Sequence, residues 1–128
     1  MDKLKNKDLI LMNEALMYLS SKQTSAWFGV SKNIRAIKPH IEEINASKED
    51  IIANLSQKDS EGKPMYVGEG QERRVVWTDE AEADKVWKEL MEIPAAKVKW
   101  TSISEAKFGD VELDSFVVES LMDVVIVD

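Results

Sequence analysis

Carboxylates are the most numerous side chains in this sequence that could do chemistry, since its 128 residues include 24 Asp and Glu. A converging pair of carboxylates can act as general acid and base or bind a divalent cation. Glu42–Glu43 and Glu49–Asp50 are sequence neighbours, and neighbours on a helix point about 100° apart, so neither pair converges. Glu80 and Asp84 share a helix face and could bind a cation weakly, but a solvated face is the favoured interpretation.

Other side chains that serve in catalysis or metal binding are scarce. The sequence has no cysteine, which excludes disulfides, thiolate metal sites and cysteine catalysis. His40 is the single histidine and has no evident partner, so we interpret it as a surface residue rather than a general base or a pH switch. No phosphate-binding glycine loop, nucleophile elbow or histidine pair is present. The sequence therefore predicts a protein that is not an enzyme, without catalytic residues, a metal site or a cofactor.

The charge of the chain is acidic and unevenly distributed. The formal net charge is −7, with +2 in residues 1–58 and −9 in residues 59–128. Binding to nucleic acid or to an anionic membrane needs a basic surface, so we expect neither. The acidic part is either a solvated surface or a docking face for a basic partner. The candidate acidic face consists of Asp79, Glu80, Glu82, Asp84, Asp110, Glu112 and Asp114.

Two helices are predicted in the first 57 residues. The first runs from about Lys7 to Ser20, with Asn6 as its N-cap, and the second from about Ser25 to Gln57. Apolar residues recur three and four positions apart through about four heptads of the second helix, and they stay in register across Pro39. We therefore expect one long helix kinked at Pro39, although two helices that meet there are an alternative. The two predicted helices form a hairpin with facing apolar stripes.

The C-terminal part is predicted to be α+β. Residues 58–64 break the helix, and two β-prone runs at 65–67 and 73–77 predict a β-hairpin. A helix over about 79–92, a third strand over 96–103 and a last helix over about 115–124 follow. The expected fold is α+β: a long N-terminal helical hairpin packed with a small antiparallel sheet of about three strands and two shorter helices. We expect one domain over 1–128, divided into the hairpin (1–57) and the acidic α+β part (65–128).

The predicted interaction residues lie on the long helix. A first helix of about 21 Å cannot cover a second of about 50 Å, so part of the apolar stripe needs another partner. The uncovered part of the stripe consists of Ile44, Ile51, Ile52 and Leu55. Its exposure in a single chain would predict an antiparallel homodimer that buries it. Trp27 and Phe28 begin the long helix; burial in the core is the first interpretation of this pair, and an exposed interaction anchor is the second.

Four short motifs of this chain occur in a similar order in a known group of proteins. They are Lys-Asn-Lys-Asp-Leu at 5–9, Ser-Lys-Asn-Ile at 31–34, a Lys-Asp-x-x-Gly-Lys-Pro break at 58–64 and Glu-Leu-Asp-Ser at 112–115. In these motifs the chain resembles small, mostly uncharacterised proteins of tailed phages and prophages, although it is richer in tryptophan and carries Pro39 in its long helix. The resemblance implies a phage origin and brings no catalytic residues, because the group has no established activity.

The expected function is that of a non-enzymatic phage protein that assists virion assembly or binds a host protein. The alternative is an acidic inhibitor of a host nucleic-acid enzyme, such as a defence nuclease, by charge mimicry. Acids along one face would favour the inhibitor, and scattered acids would favour the general interaction protein. The apolar run Leu9–Met12 is too short for a signal peptide, so we expect the protein in the host cytoplasm. Its expected partners are a second copy of itself and an unidentified host or phage protein.

Overall fold

The computed structural model of the protein describes residues 4–95, 97–109, 111–122 and 124–128. Within this part the fold is α+β, with four α-helices and two two-stranded sheets. The helices are α1 (Asn6–Ser20), α2 (Trp27–Leu55), α3 (Glu80–Glu92) and α4 (Ser115–Leu121). The strands are β1 (Tyr66–Val67), β2 (Arg74–Val75), β3 (Ile103–Ser104) and β4 (Ile126–Val127).

The chain forms two compact units. The first unit contains the chain up to Glu42 and from Pro94 onwards, and the second unit contains Glu43–Ile93. The boundaries therefore fall inside α2 and just after α3, and not at the break over 58–64 that the composition of the chain predicts. The single domain over 1–128 stays a prediction.

Helix α1 begins one residue earlier than predicted. The carboxylate of Asp8 accepts a hydrogen bond of 2.8 Å from the backbone N–H of Lys5, so the cap lies at Lys5 and not at Asn6. The side chains that α1 buries recur three and four positions apart, as predicted for a single apolar stripe. They are Leu9, Met12, Ala15, Leu16 and Leu19.

The predicted pairing of α1 with α2 as a hairpin of facing stripes is corrected by the structure. The closest helix pairing within the described residues is between α1 and α4, and α4 contributes the buried Val117 and Leu121. In the first unit, the segment around Thr101 lies against the inner face of α2, because the side chain of Asn33 is hydrogen-bonded to the backbone of Thr101. The stripe of α1 is therefore covered from the C-terminal end of the chain.

Helix α2 runs without interruption through Pro39, so the prediction of one long helix is confirmed and the alternative of two helices is wrong. Its buried apolar side chains recur every seven residues, at Val30, Ile37, Ile44 and Ile51. Pro39 itself is exposed, away from this stripe. The helix therefore continues through Pro39 because the buried residues of the heptad register pack on both sides of it. The bend at Pro39 stays a prediction.

Three backbone segments of the second unit are joined by a closed ring of hydrogen bonds. The N–H of Gln57 donates to the carbonyl of Val76 at 2.8 Å, Val76 donates to Met65 at 2.9 Å, and Met65 donates back to Gln57 at 2.8 Å. The chain that leaves α2 thereby pairs with both arms of the predicted hairpin, which is confirmed as antiparallel β1–β2. A two-stranded hairpin alone is marginal in water, and this third segment supports it.

The predicted third strand over 96–103 is wrong apart from its last residue, with Ala96 outside the described residues. Strand β3 begins only at Ile103 and pairs in parallel with β4, through Ile103 with Ile126 and Ser104 with Val127. Parallel strands need a crossover connection, and α4 supplies it between β3 and β4. The small antiparallel sheet of about three strands is therefore replaced by one antiparallel and one parallel pair.

Candidate protein-interaction site

The residues predicted for a dimer contact are largely buried in the single chain. Ile44 is 4% exposed and Ile51 is also buried, whereas Ile52 and Leu55 are half-buried. The exposed patch on which the homodimer prediction depended is therefore absent among these four described residues. Part of the cover comes from α3, because the Nζ of Lys48 on this stretch of α2 lies 5.6 Å from the ring centroid of Trp87.

Trp27 and Phe28 lie at the surface, so the first interpretation of this pair, burial in the core, is wrong. Trp27 is 65% exposed and Phe28 is 58% exposed. Their ring centroids are 5.6 Å apart with planes at 75°, an edge-to-face arrangement. Two adjacent aromatic side chains thus project from the first turn of α2 and contact each other at the surface.

At the start of α2, the buried face of the helix is formed by Ala26, Val30 and Asn33 and not by Trp27. The N–H of Ala26 donates to the hydroxyl of Thr24 at 3.2 Å, where the helix begins, and Ala26 and Val30 are both 1% exposed. Asn33 is fully buried on the same inner face. The next two positions after Ala26 point about 100° and 200° away from that face, which places Trp27 and Phe28 outside.

An open depression of about 960 Å³ lies beside Trp27 in the first unit. Its described walls come from the α1–α2 connection, including Lys22, and from residues 106–109 and Val111, including Lys107. Phe108 also borders it and is almost fully buried, so its ring is held in place by the core. The described lining contains two lysines and no Asp or Glu.

Lysine side chains contact the aromatic rings around this depression. The Nζ of Lys32 lies 5.3 Å from the centroid of the Phe28 ring, and the Nζ of Lys22 lies 4.9 Å from that of Tyr18. These distances are within the range of cation–π contacts. We call Trp27, Phe28, Lys22, Lys32 and Lys107 the aromatic–lysine surface.

The candidate acidic face divides between the two units. Asp79, Glu80, Glu82 and Asp84 are exposed at the start of α3 in the second unit, whereas Glu112 and Asp114 are exposed in the first. Asp110 lies outside the described residues. Asp79 also has a structural role, because its carboxylate accepts a hydrogen bond of 3.1 Å from the N–H of Glu82 as the cap of α3.

The carboxylates of α3 are interrupted by bases. Lys85 and Lys88 are exposed on the same helix, and helical geometry places them between the directions of Asp84 and Glu89. The exposed face of α3 therefore carries both signs of charge rather than a continuous row of acids. No group of three or more His, Asp or Glu in the described residues is arranged to hold a metal ion.

The β-hairpin presents a second group of exposed apolar residues, which is not among the interaction residues predicted from the sequence. Met65, Tyr66 and Val67 are all exposed, and the guanidinium carbon of Arg73 lies 4.0 Å from the centroid of the Tyr66 ring. Glu69 and Glu72 stand in the connecting loop, so the charge around this group is mixed. The hairpin lacks the uniform charge of the aromatic–lysine surface.

Comparisons with known proteins found no relative of this chain. No protein-family model, curated protein or solved structure matches it. In the part of the chain that the structure describes, no helix is both long enough and apolar enough to cross a membrane.

Proposed function

We propose that this protein acts by binding another protein through the aromatic–lysine surface and catalyses no reaction. The observation that carries the proposal is the exposure of two adjacent aromatic side chains, Trp27 and Phe28, at 65% and 58%. Tryptophan is enriched among the residues that dominate binding energy at interfaces.

The area of these rings is large enough to matter for affinity. An aromatic side chain buries about 150–250 Å² when it is fully covered, at about 25 cal/mol per Å² of apolar area. Covering the exposed part of both rings therefore contributes several kcal/mol, which offsets part of the cost of association. The almost fully buried Phe108 fixes one wall of the depression in the free protein, so that this wall needs no ordering on binding.

We further propose that the chain is phage-encoded and acts in the host cytoplasm, where its partner is a host or phage protein. The four short motifs shared with small phage proteins support the origin. Charge mimicry by the acidic residues is less supported, because Lys85 and Lys88 interrupt the carboxylates on the exposed face of α3.

A comparative capture experiment tests the proposal. The chain is immobilised and exposed to bacterial lysate in three forms: wild type, Trp27→Ser/Phe28→Ser, and the control Leu11→Ser/Met17→Ser. The control removes two apolar side chains of similar exposure from α1, 51% and 54%. We expect a partner to be retained by the wild type and the control and lost by the Trp27/Phe28 variant. Equal capture by all three forms would contradict the proposal, and circular dichroism verifies that each variant is folded.

A further inference from the structure

We infer that the segment recognised by the aromatic–lysine surface is an acidic peptide of a partner protein that carries an aromatic or aliphatic side chain among its carboxylates. This inference rests on the proposed function and adds the chemistry of the ligand. The apolar side chain is received beside Trp27 in the depression, and the carboxylates contact the lysines around it.

The charges at the site carry the inference. Lys22 and Lys107 line the depression with Trp27, Lys32 lies over the ring of Phe28, and no Asp or Glu lines the described part of the depression. The structure records no ion pair for these three lysines within the described residues, so their ammonium groups are available to carboxylates. Aromatic rings with flanking cations complement a segment in which apolar and acidic residues alternate.

The net charge of −7 does not outweigh this local arrangement. At physiological ionic strength the screening length is about 8 Å, so distant carboxylates of the chain act weakly on a ligand in the depression. The lysines that contact the ligand interact at shorter range. The global charge lowers the rate of encounter with an acidic peptide, and the local lysines stabilise it once it is bound.

The geometry favours a peptide over single-stranded nucleic acid. Nucleic-acid platforms stack successive bases on open aromatic faces along a basic groove. Here the planes of Trp27 and Phe28 are inclined at 75°, and Lys32 lies over the Phe28 ring, so the pair offers no parallel faces for consecutive bases. A depression of about 960 Å³ is sufficient for a few side chains of a peptide.

Selection from a displayed library of random twelve-residue peptides, with the 128-residue chain as the target, tests the inference. Enriched peptides are synthesised with a fluorophore, and their dissociation constants are measured by anisotropy. We expect enrichment of Asp and Glu together with at least one aromatic or aliphatic residue. Affinity falls at least tenfold in Trp27→Ser/Phe28→Ser and in Lys22→Glu/Lys107→Glu, and it weakens as salt is raised.

Two further variants make the charge test specific. Lys97→Glu/Lys99→Glu introduces the same change of charge at exposed lysines of the first unit that do not line the depression, and we expect less than a twofold effect. Lys22→Gln/Lys107→Gln removes the charges without reversing them, and it serves if the Glu variant is unfolded. We expect it to weaken binding at least threefold.

The outcomes separate the inference from the proposed function. Peptides that depend on Trp27 and Phe28 but are neutral or basic, or that are insensitive to Lys22 and Lys107, overturn the inference and leave the proposed function standing. The inference is also overturned if the protein binds a twenty-nucleotide oligothymidine, or vesicles with 30% phosphatidylserine, more tightly than it binds the enriched peptides. If no enriched peptide depends on Trp27 and Phe28, the inference fails, and the capture experiment with the Trp27→Ser/Phe28→Ser variant decides the proposed function by itself.

Discussion

Asn33 is a fully buried polar side chain of the first unit, so its amide group needs hydrogen-bond partners within the protein. It is fully buried on the inner face of α2, and its amide makes three hydrogen bonds. The Nδ2 group donates to the carbonyls of Gly29 at 2.9 Å and Thr101 at 2.8 Å, and Oδ1 accepts from the N–H of Thr101 at 2.7 Å. The side chain thus pairs with the backbone of Thr101 as a neighbouring strand would.

Asn33→Ala is expected to lower the free energy of unfolding by about 3 kcal/mol, because it removes a buried amide and the partner of both backbone groups of the half-buried Thr101. Urea unfolding followed by circular dichroism measures the change. Asn54→Ala is the matched control, since Asn54 makes a similar bond of 2.7 Å within α2, to the carbonyl of Asp50, but is exposed. The interpretation fails if the two variants lose equal stability.

Gly29 lies one turn before Asn33 and allows close approach of β3. A Cβ atom at this position would stand 2.7 Å from Cγ1 of Ile103, whose side chain is buried. We expect Gly29→Ala to destabilise the protein by about 1–3 kcal/mol, even though alanine is favoured in a helix by about 1 kcal/mol. In a double-mutant cycle with Ile103→Ala, the combined loss should be smaller than the sum of the single losses, and strict additivity would argue against the clash.

At the scale of the element, α2 combines an unfavourable residue with a continuous helix. Pro39 has no N–H to donate to the carbonyl of Arg35, and its ring disfavours the preceding turn. The helix nevertheless continues to Leu55, because the buried residues at intervals of seven pack on both sides of the proline. Tertiary packing therefore outweighs a local preference of about 3 kcal/mol.

Pro39→Ala is expected to raise the free energy of unfolding by about 1–3 kcal/mol, because it restores a helical hydrogen bond at an exposed position. Urea unfolding measures the gain, and His40→Ala at the neighbouring position should stay within about 0.5 kcal/mol of wild type. A loss of stability in Pro39→Ala would mean that the bend predicted at Pro39 is itself needed for packing.

At the scale of the whole molecule, the far half of α2 finds its cover inside the chain. Ile44 and Ile51 are buried in the second unit, where the Nζ of Lys48 lies 5.6 Å from the ring centroid of Trp87 and Trp87 pairs with Trp77. The lysine that interrupts the apolar register thus contacts an aromatic ring. Burial of this stripe requires no second copy of the protein.

Ile44→Ala is accordingly expected to cost about 2–4 kcal/mol in the monomer, through the cavity that it leaves. The thermal midpoints of the variant and of the wild type should be independent of protein concentration between about 1 and 100 μM, since no association is being lost. Calorimetry at both limits checks this. A wild-type midpoint that rises with concentration would restore self-association, through a surface other than this stripe.

Part of the candidate site could be predicted from the sequence. The types of Trp27 and Phe28 and their place at a helix start make them candidate residues, but the sequence favours their burial over their exposure. The heptad register included Trp27 in the buried stripe, whereas the observed inner face uses Ala26 and Asn33. Lys22 and Lys107 were missed because they are far apart in the chain and only the folded first unit brings them to one depression.

The sequence by itself determined the elements whose signals are local. The heptad spacing specified α2 across Pro39, the break over 58–64 ended it, and the β-prone runs specified the hairpin. Spacing, capping and turn residues act over a few positions, so their consequences can be derived without knowing the rest of the fold.

Only the tertiary structure decided which faces are covered and which are exposed. The partner of Asn33 is 68 residues away, β3 pairs in parallel with the end of the chain, and α1 packs on α4. These contacts join segments that are far apart in the sequence, so no short sequence pattern predicts them. They determine that Asn33 is buried and that Trp27 is exposed. The aromatic–lysine surface exists for that reason: burial is a property of the packed molecule, whereas periodicity is a property of the helix alone.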